Sequence, residues 1–178
     1  LAPKEESRDP DITVLPETVV PLLQDRVDHQ VWENWRTIAR ERDTTLLMGV
    51  PLHDRVAGAD RYTNSAIAFD AGTATELIAS AALPMRYDKV HLVPFGEFIP
   101  TGFRWFVDMM HIPLGDFNRG EAAQAPLHIA GQQVAPNICY EDVFGEEIIE
   151  SVKGDVSGGG ASLLVNVSNL AWFGDSWS

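Results

Sequence analysis

Three side chains in this sequence have the chemistry for acyl transfer: the carboxylate of Glu17, the ammonium of Lys89 and the thiol of Cys139. Each follows or ends a strand-like apolar run, in ITVLPE (12 to 17), YDKVHL (87 to 92) and PNICYED (136 to 142). A thiol attacks a carbonyl as its thiolate, so it needs a base, and a carboxylate can take the proton. A cation beside the pair favours the thiolate and stabilises the negative oxygen of a tetrahedral intermediate. Cys139 is the only cysteine, so it has no internal disulfide partner, and its value lies in packing or in nucleophilicity. Each residue also has a plain structural reading. Cys139 would then be a small buried hydrophobe, Glu17 an acid at a helix N-terminus, and Lys89 a solvated lysine on a strand edge. His91, two residues after Lys89, is the alternative base of a cysteine–histidine pair; His29, His53, His111 and His128 stand in less suggestive contexts.

Such residues meet only if regular elements carry them to one place. The run LHIAGQQVAPNICYED (127 to 142) predicts a hairpin that turns at Gly131, with Val134 to Ile138 as the returning strand. FGEEIIESVKG (144 to 154) predicts a helix with Phe144, Ile148, Ile149 and Val152 on one face and a closing glycine. Cys139 is thus expected at a strand-to-helix junction, where helix N–H groups and the positive dipole end favour a thiolate. Upstream the pattern predicts a strand over 12 to 15. A helix over 21 to 43 follows, with Leu23, Val27, Val31, Trp35, Ile38 and Arg42 tracing about one face, and then a strand over 44 to 50. A meander over 61 to 80 is expected to turn at Asp70, Ala71 and Gly72. Further strands are expected over 87 to 95 and 162 to 168, the last after a glycine-rich turn at Gly158 to Gly160. The order implies a layered α/β (or α+β) domain with a mixed sheet, whose strand ends converge on one rim. The aromatic and Met-rich patch Phe103 to Met110, and the loop with Trp172 and Phe173, read either as apolar arms that admit lipid tails or as ordinary core.

With 178 residues, 45% of them hydrophobic, the chain can bury one sizeable core. Its formal net charge of −13 argues against nucleic-acid binding, which needs a basic footprint. No run approaches the ~20 apolar residues of a spanning helix. Both ends read as internal to a longer chain.

The motifs LPETVVP (15 to 21), YDKVHLVPFGEFIP (87 to 100), PNICYEDVFGE (136 to 146) and LLVNVSNLAWFGDS (163 to 176), in that order and spacing, resemble the nitrilase superfamily. Within it, HLVPFGEFIP after the lysine and Cys-Tyr-Glu-Asp followed by phenylalanine resemble the apolipoprotein N-acyltransferase branch. The resemblance implies an α-β-β-α sandwich with mixed sheets, incomplete at both ends, in which residues 1 to 178 form part of one catalytic domain. It implies Glu17 as general base, Lys89 as oxyanion-stabilising cation and Cys139 as nucleophile, supported by Glu97, Tyr140 and Glu141, with no cofactor and no metal. The implied substrates are a phospholipid acyl donor and the N-terminal diacylglyceryl-cysteine of an apolipoprotein, joined through a cysteine thioester. Membrane attachment would come from segments outside this chain, the domain facing the periplasm from the inner membrane. Leu15 departs from the family's frequent tryptophan, apolar for apolar. A nitrilase-type hydrolase of a small amide is the competing enzyme reading, and a catalytically silent binding scaffold the non-enzymatic one.

Overall fold

Two long runs rich in β-branched and small residues, separated by Ala57 and Gly58, pair along their whole length. Strands β2 (Thr45–Val56) and β3 (Ala59–Phe69) run antiparallel from Leu46↔Phe69 to Val56↔Ala59. Ala57 and Gly58 turn in the left-handed region, with φ of 52° and 83°, which matches the twist of a tight hairpin. β1 (Ile12–Val14) adds in parallel to β2, and β4 (Arg86–Asp88) adds antiparallel to β3, giving the order β1-β2-β3-β4. A second sheet has the order β5 (Leu127–Ile129), β6 (Gln132–Ile138), β7 (Leu163–Val167), with β6 and β7 parallel. The computed structural model describes residues 9–94, 96–99, 116–154 and 159–169.

Side-chain alternation along β2 and β3 divides the core into two layers. Leu46, Met48, Val50, Leu52, Ile67 and Phe69 pack with residues of helices α1 (His29–Glu41) and α2 (Thr75–Ala79). Leu47, Ala66 and Ala68 point the other way, into a cluster with Leu127, Ile129, Val134, Ile138 and Val167 of the second sheet. The two sheets therefore lie face to face, with helices outside the first, and α3 (Gly145–Lys153) follows the second.

Several sequence expectations are corrected. The first helix begins at His29, not residue 21, because Asp28 caps it by accepting from Gln30 N at 2.8 Å; before it runs a loop with a 3₁₀ turn at Gln24–Arg26. Its buried residues are Trp32 and Ala39, with Trp35 half-buried, while Val31 and Ile38 are exposed, so the core-facing stripe is rotated from the expected one. Trp32 sits edge-on to Phe69 and donates its Nε1–H to Gln24 O at 3.2 Å. The strand expected over 44 to 50 continues to Val56, so the hairpin turn is Ala57–Gly58. Asp70 instead ends β3 by accepting from Gly72 N and Thr73 N at 2.9 and 3.0 Å, leading into α2. Of the strand expected over 87 to 95, Tyr87 and Asp88 pair as part of β4 and Pro94 makes an isolated bridge to Phe98, while the other described residues of that run form no ladder. The hairpin at Gly131 forms as expected, with Ala130 and Gly131 both left-handed. Phe103 to Met110, Trp172, Phe173 and Gly158 lie outside the described residues.

Candidate active site

Glu17 reaches the inter-sheet rim because its backbone crosses β2 at a glycine. A Cβ on Gly49 would lie 2.5 Å from Glu17 Cα, and the crossing is held by Gly49 N donating to Pro16 O and Val19 N donating to Gly49 O, each at 3.1 Å. The carboxylate is 7% exposed and lies outside any helix, so the helix-terminus reading fails.

Lys89 is the first residue past β4, and its backbone is held on both sides. Lys89 N donates to Asn64 O, and Gly120 N donates to Lys89 O, both at 2.8 Å. Its side chain is 1% exposed, which excludes a solvated edge lysine. Nζ lies 2.9 Å from Glu97 Oε2 and 3.6 Å from Glu17 Oε1. The shorter contact is a close ion pair, which makes Glu97 the principal counter-ion of the ammonium. Burial pushes the Lys89 ammonium down, but Glu97, Glu17 and a thiolate at Cys139 more than offset this and hold it above its ordinary value. It is therefore a cation at neutral pH.

Between the two carboxylates stands Asn64 of β3, 5% exposed. Its Nδ2 donates to Glu17 Oε1 at 2.7 Å and to Glu97 Oε1 at 2.5 Å. Glu97 Oε2 also accepts from Val93 N at 2.8 Å, so both Glu97 oxygens are committed. Among the described residues nothing donates to Glu17 Oε2, so the two carboxylates are not equivalent.

Cys139 directly follows β6 and has a φ of 57°, a left-handed conformation that costs a residue with a Cβ about 1 to 2 kcal/mol. Asn166 of β7 holds it there by donating Nδ2–H to Cys139 O at 2.8 Å. The expected helix terminus is absent at the thiol. A 3₁₀ turn, Cys139–Val143, comes first and α3 starts only at Gly145, so the cation to which the thiol is exposed is Lys89 rather than a helix dipole. The half-buried residue packs against the inter-sheet core.

Glu141 ties the two halves of the site together. Its Oε1 accepts from Val90 N at 2.7 Å and His91 N at 3.0 Å, while Oε2 accepts from Ile138 N at 2.8 Å and Tyr87 Oη at 3.1 Å. One buried carboxylate thus joins the segment after Lys89 to the turn that carries Cys139. Burial, and then Glu141 itself, push the Tyr87 phenol well above its ordinary value, so it stays a donor. Tyr140 donates to Leu92 O at 3.0 Å and lays its ring 5.6 Å from Lys89 Nζ. His91 is engaged elsewhere, bonded to Glu147 and stacked on Phe144 at 3.9 Å.

The structure thus brings Glu17, Lys89, Glu97 and Tyr140 into one cluster and braces Cys139 beside it through Glu141. Sequence reasoning missed Asn64, Asn166 and Gly49. Asn64 left a signal: asparagine is depleted in strands, yet it interrupts the β-rich run RYTNSAIAF. Asn169, which donates to Glu17 O at 3.2 Å, was inside a quoted motif but not singled out.

Comparison with known proteins agrees with this architecture. The family model described as carbon-nitrogen hydrolase matches residues 3–178. Among curated proteins, the apolipoprotein N-acyltransferase of Bordetella bronchiseptica is 52% identical over 100% of this chain, which spans 33% of that protein. That of Ralstonia nicotianae is 47% identical over 93% of the chain and 29% of its own length. The chain therefore spans about a third of the length of the curated relatives it matches. A solved CN-hydrolase superfamily protein from Xanthomonas campestris matches in fold with a TM-score of 0.53 at 19% identity, covering 89% of this chain and 52% of that one. The C. elegans NitFhit protein matches with a TM-score of 0.52 at 20% identity, over 89% and 35%. With two facing sheets, the matched motifs at their rim and a family match along almost its whole length, this chain belongs to the carbon-nitrogen hydrolase family.

Proposed function

We propose that this chain is the catalytic part of an apolipoprotein N-acyltransferase, moving an acyl chain from a phospholipid to a lipoprotein amine through a thioester on Cys139. The observation that carries the reading is the 1%-exposed ammonium of Lys89, held between Glu97 and Glu17 and braced against the elbow of the only thiol. The names of relatives 41–52% identical supply the substrate class.

In the first half-reaction Glu17 takes the thiol proton, and the Cys139 thiolate attacks the ester carbonyl. The C–S bond forms while the carbonyl electrons move onto oxygen, where the Lys89 ammonium donates to the developing negative charge. Collapse breaks the C–O bond, and the proton held by Glu17 passes to the departing alkoxide, releasing a lysophospholipid. In the second half-reaction the α-amino group of a diacylglyceryl-cysteine attacks the thioester. Glu17 takes a proton from that amine, the C–S bond breaks, and the proton returns to sulfur. Glu97, with both oxygens committed, anchors Lys89 rather than moving protons. Tyr140 shapes the wall around the ammonium, and Glu141 fixes Lys89 relative to Cys139. In this reading the whole protein works at the inner membrane with this domain on the periplasmic side, attached by segments outside residues 1 to 178. Among the described residues no helix is long and apolar enough to cross a membrane.

The test is intact-mass measurement of the full-length protein after incubation with phospholipid. An acyl adduct that maps to Cys139 and is missing in Cys139→Ser is expected. An unmodified thiol, together with turnover of a small amide, would replace the acyltransferase reading with the hydrolase one.

A further inference from the structure

The Asn64 side chain touches both carboxylates of the site, its Nδ2 donating to Glu17 Oε1 at 2.7 Å and to Glu97 Oε1 at 2.5 Å, while its main-chain oxygen accepts from the main-chain N–H of Lys89 at 2.8 Å. Two carboxylates that both approach one lysine can lower their mutual repulsion by sharing a proton, which would disable a base. An amide N–H placed against each carboxylate stabilises both in the ionised form and leaves no acceptor between them for a shared proton. The assignment of nitrogen rather than oxygen to this position follows from the partners, because an amide oxygen there would face two carboxylates.

We propose that Asn64 is a positioning residue that makes the two carboxylates unequal, engaging Oε1 of Glu17 and directing its Oε2 to the substrate proton. The inference rests on the acyl-transfer reading above and adds to it the choice of base oxygen. By occupying Glu17 Oε1, the amide leaves Oε2 as the only oxygen without a donor among the described residues. Glu97 cannot substitute, since Asn64, Val93 N and Lys89 take both its oxygens. The strand geometry supports a dedicated role. Asn64 stands opposite Pro51, between the stacked His53–Tyr62 pair on one side and the small residues Gly49 and Ala66 on the other, all on one face of the sheet. The ionisable groups facing the carboxylate pair are Lys89, Cys139 and Tyr140, with Arg119 beyond them over the Phe98 ring.

The experiment measures acylation of Cys139 in the full-length protein by a p-nitrophenyl acyl ester, by rapid quench and intact mass, across roughly pH 5 to 9. In Asn64→Leu the acid limb of the rate should move up by about one pH unit as the carboxylates begin to share a proton, with the plateau about tenfold lower. Asn64→Asp, of the same shape, should act only while its own carboxyl is protonated and donating, so its profile narrows and falls on the alkaline side. A wild-type profile in Asn64→Leu, merely scaled down, would make Asn64 structural and overturn the proposal. If that variant does not fold, an unshifted Asn64→Asp profile overturns it equally. Should the wild type take no acyl group from either the ester or phospholipid, the proposed function fails separately. The inference is then decided by the pH profile of Cys139 alkylation with iodoacetamide, in which the same displacement is expected and its absence refutes it.

Discussion

At the scale of the residue, the difference between Glu17 and Glu97 is one of occupancy rather than chemistry. Both are buried carboxylates beside Lys89, but only Glu17 has an oxygen without a donor among the described residues. Glu17→Gln is therefore expected to slow thioester formation by about 10²- to 10⁴-fold, the usual contribution of a positioned base, with little change in fold. Quenched-flow acylation of Cys139 checks this, and near-normal rates would mean that another group takes the proton. Glu17, Lys89 and Cys139 were legible in the sequence because each ends an apolar run in a distinctive motif. Asn64 was not, because its partners lie 47 and 33 positions away in sequence and no local pattern announces a long-range amide.

At the scale of the element, placement depends on where strands stop and how closely backbones approach. Gly49 admits the Glu17 crossing, and Gly49→Ala forces a Cβ to within 2.5 Å of Glu17 Cα. The expected result is a loss of acylation of roughly 10²-fold, as for a misplacement of about 1 Å. Alkylation of Cys139 by a small electrophile should continue, since the elbow after β6 is untouched. Comparing the two rates in the purified variant decides it. Hairpins with a tight turn were readable, as at Gly131, and so was α3 with its terminal Gly154. The start of α1 was misread because an apolar run from residue 21 mimics helical spacing, whereas the aspartate cap at position 28 marks the true start. The dipole expected at Cys139 failed for a related reason. Periodicity located the helix, but the intervening 3₁₀ turn has no periodic signature.

At the scale of the whole molecule, a buried ionic cluster underlies the rim. Asp88 accepts from Arg61 at 2.9 Å and from Arg86 and Ser65 at 2.7 Å each, and Arg86 also reaches Asp54 at 2.7 Å. Burial pushes the Asp88 carboxyl up, but Arg86, Ser65 and Arg61 hold it below its ordinary value of 3.8. A lowered folded pKa gives stability that is present above the unfolded value and disappears as pH falls through the folded one. Asp88→Asn should thus destabilise by about 3 kcal/mol at neutral pH, with the gap to wild type closing only below about pH 4. Urea unfolding of both proteins across that range tests it, and a gap that closes near neutrality would contradict it. The layered architecture was readable from the order of elements, whereas this cluster was not, because Asp54, Arg61, Arg86 and Asp88 come from three different strands. The hydrogen bond from Phe117 N to Glu97 O, at 2.9 Å, has a consequence of its own. Together with Glu97 N donating to Val93 O at 2.8 Å, it pins the backbone of Glu97 on both sides, so the counter-ion of Lys89 is held in place from the main chain and not by its carboxylate alone.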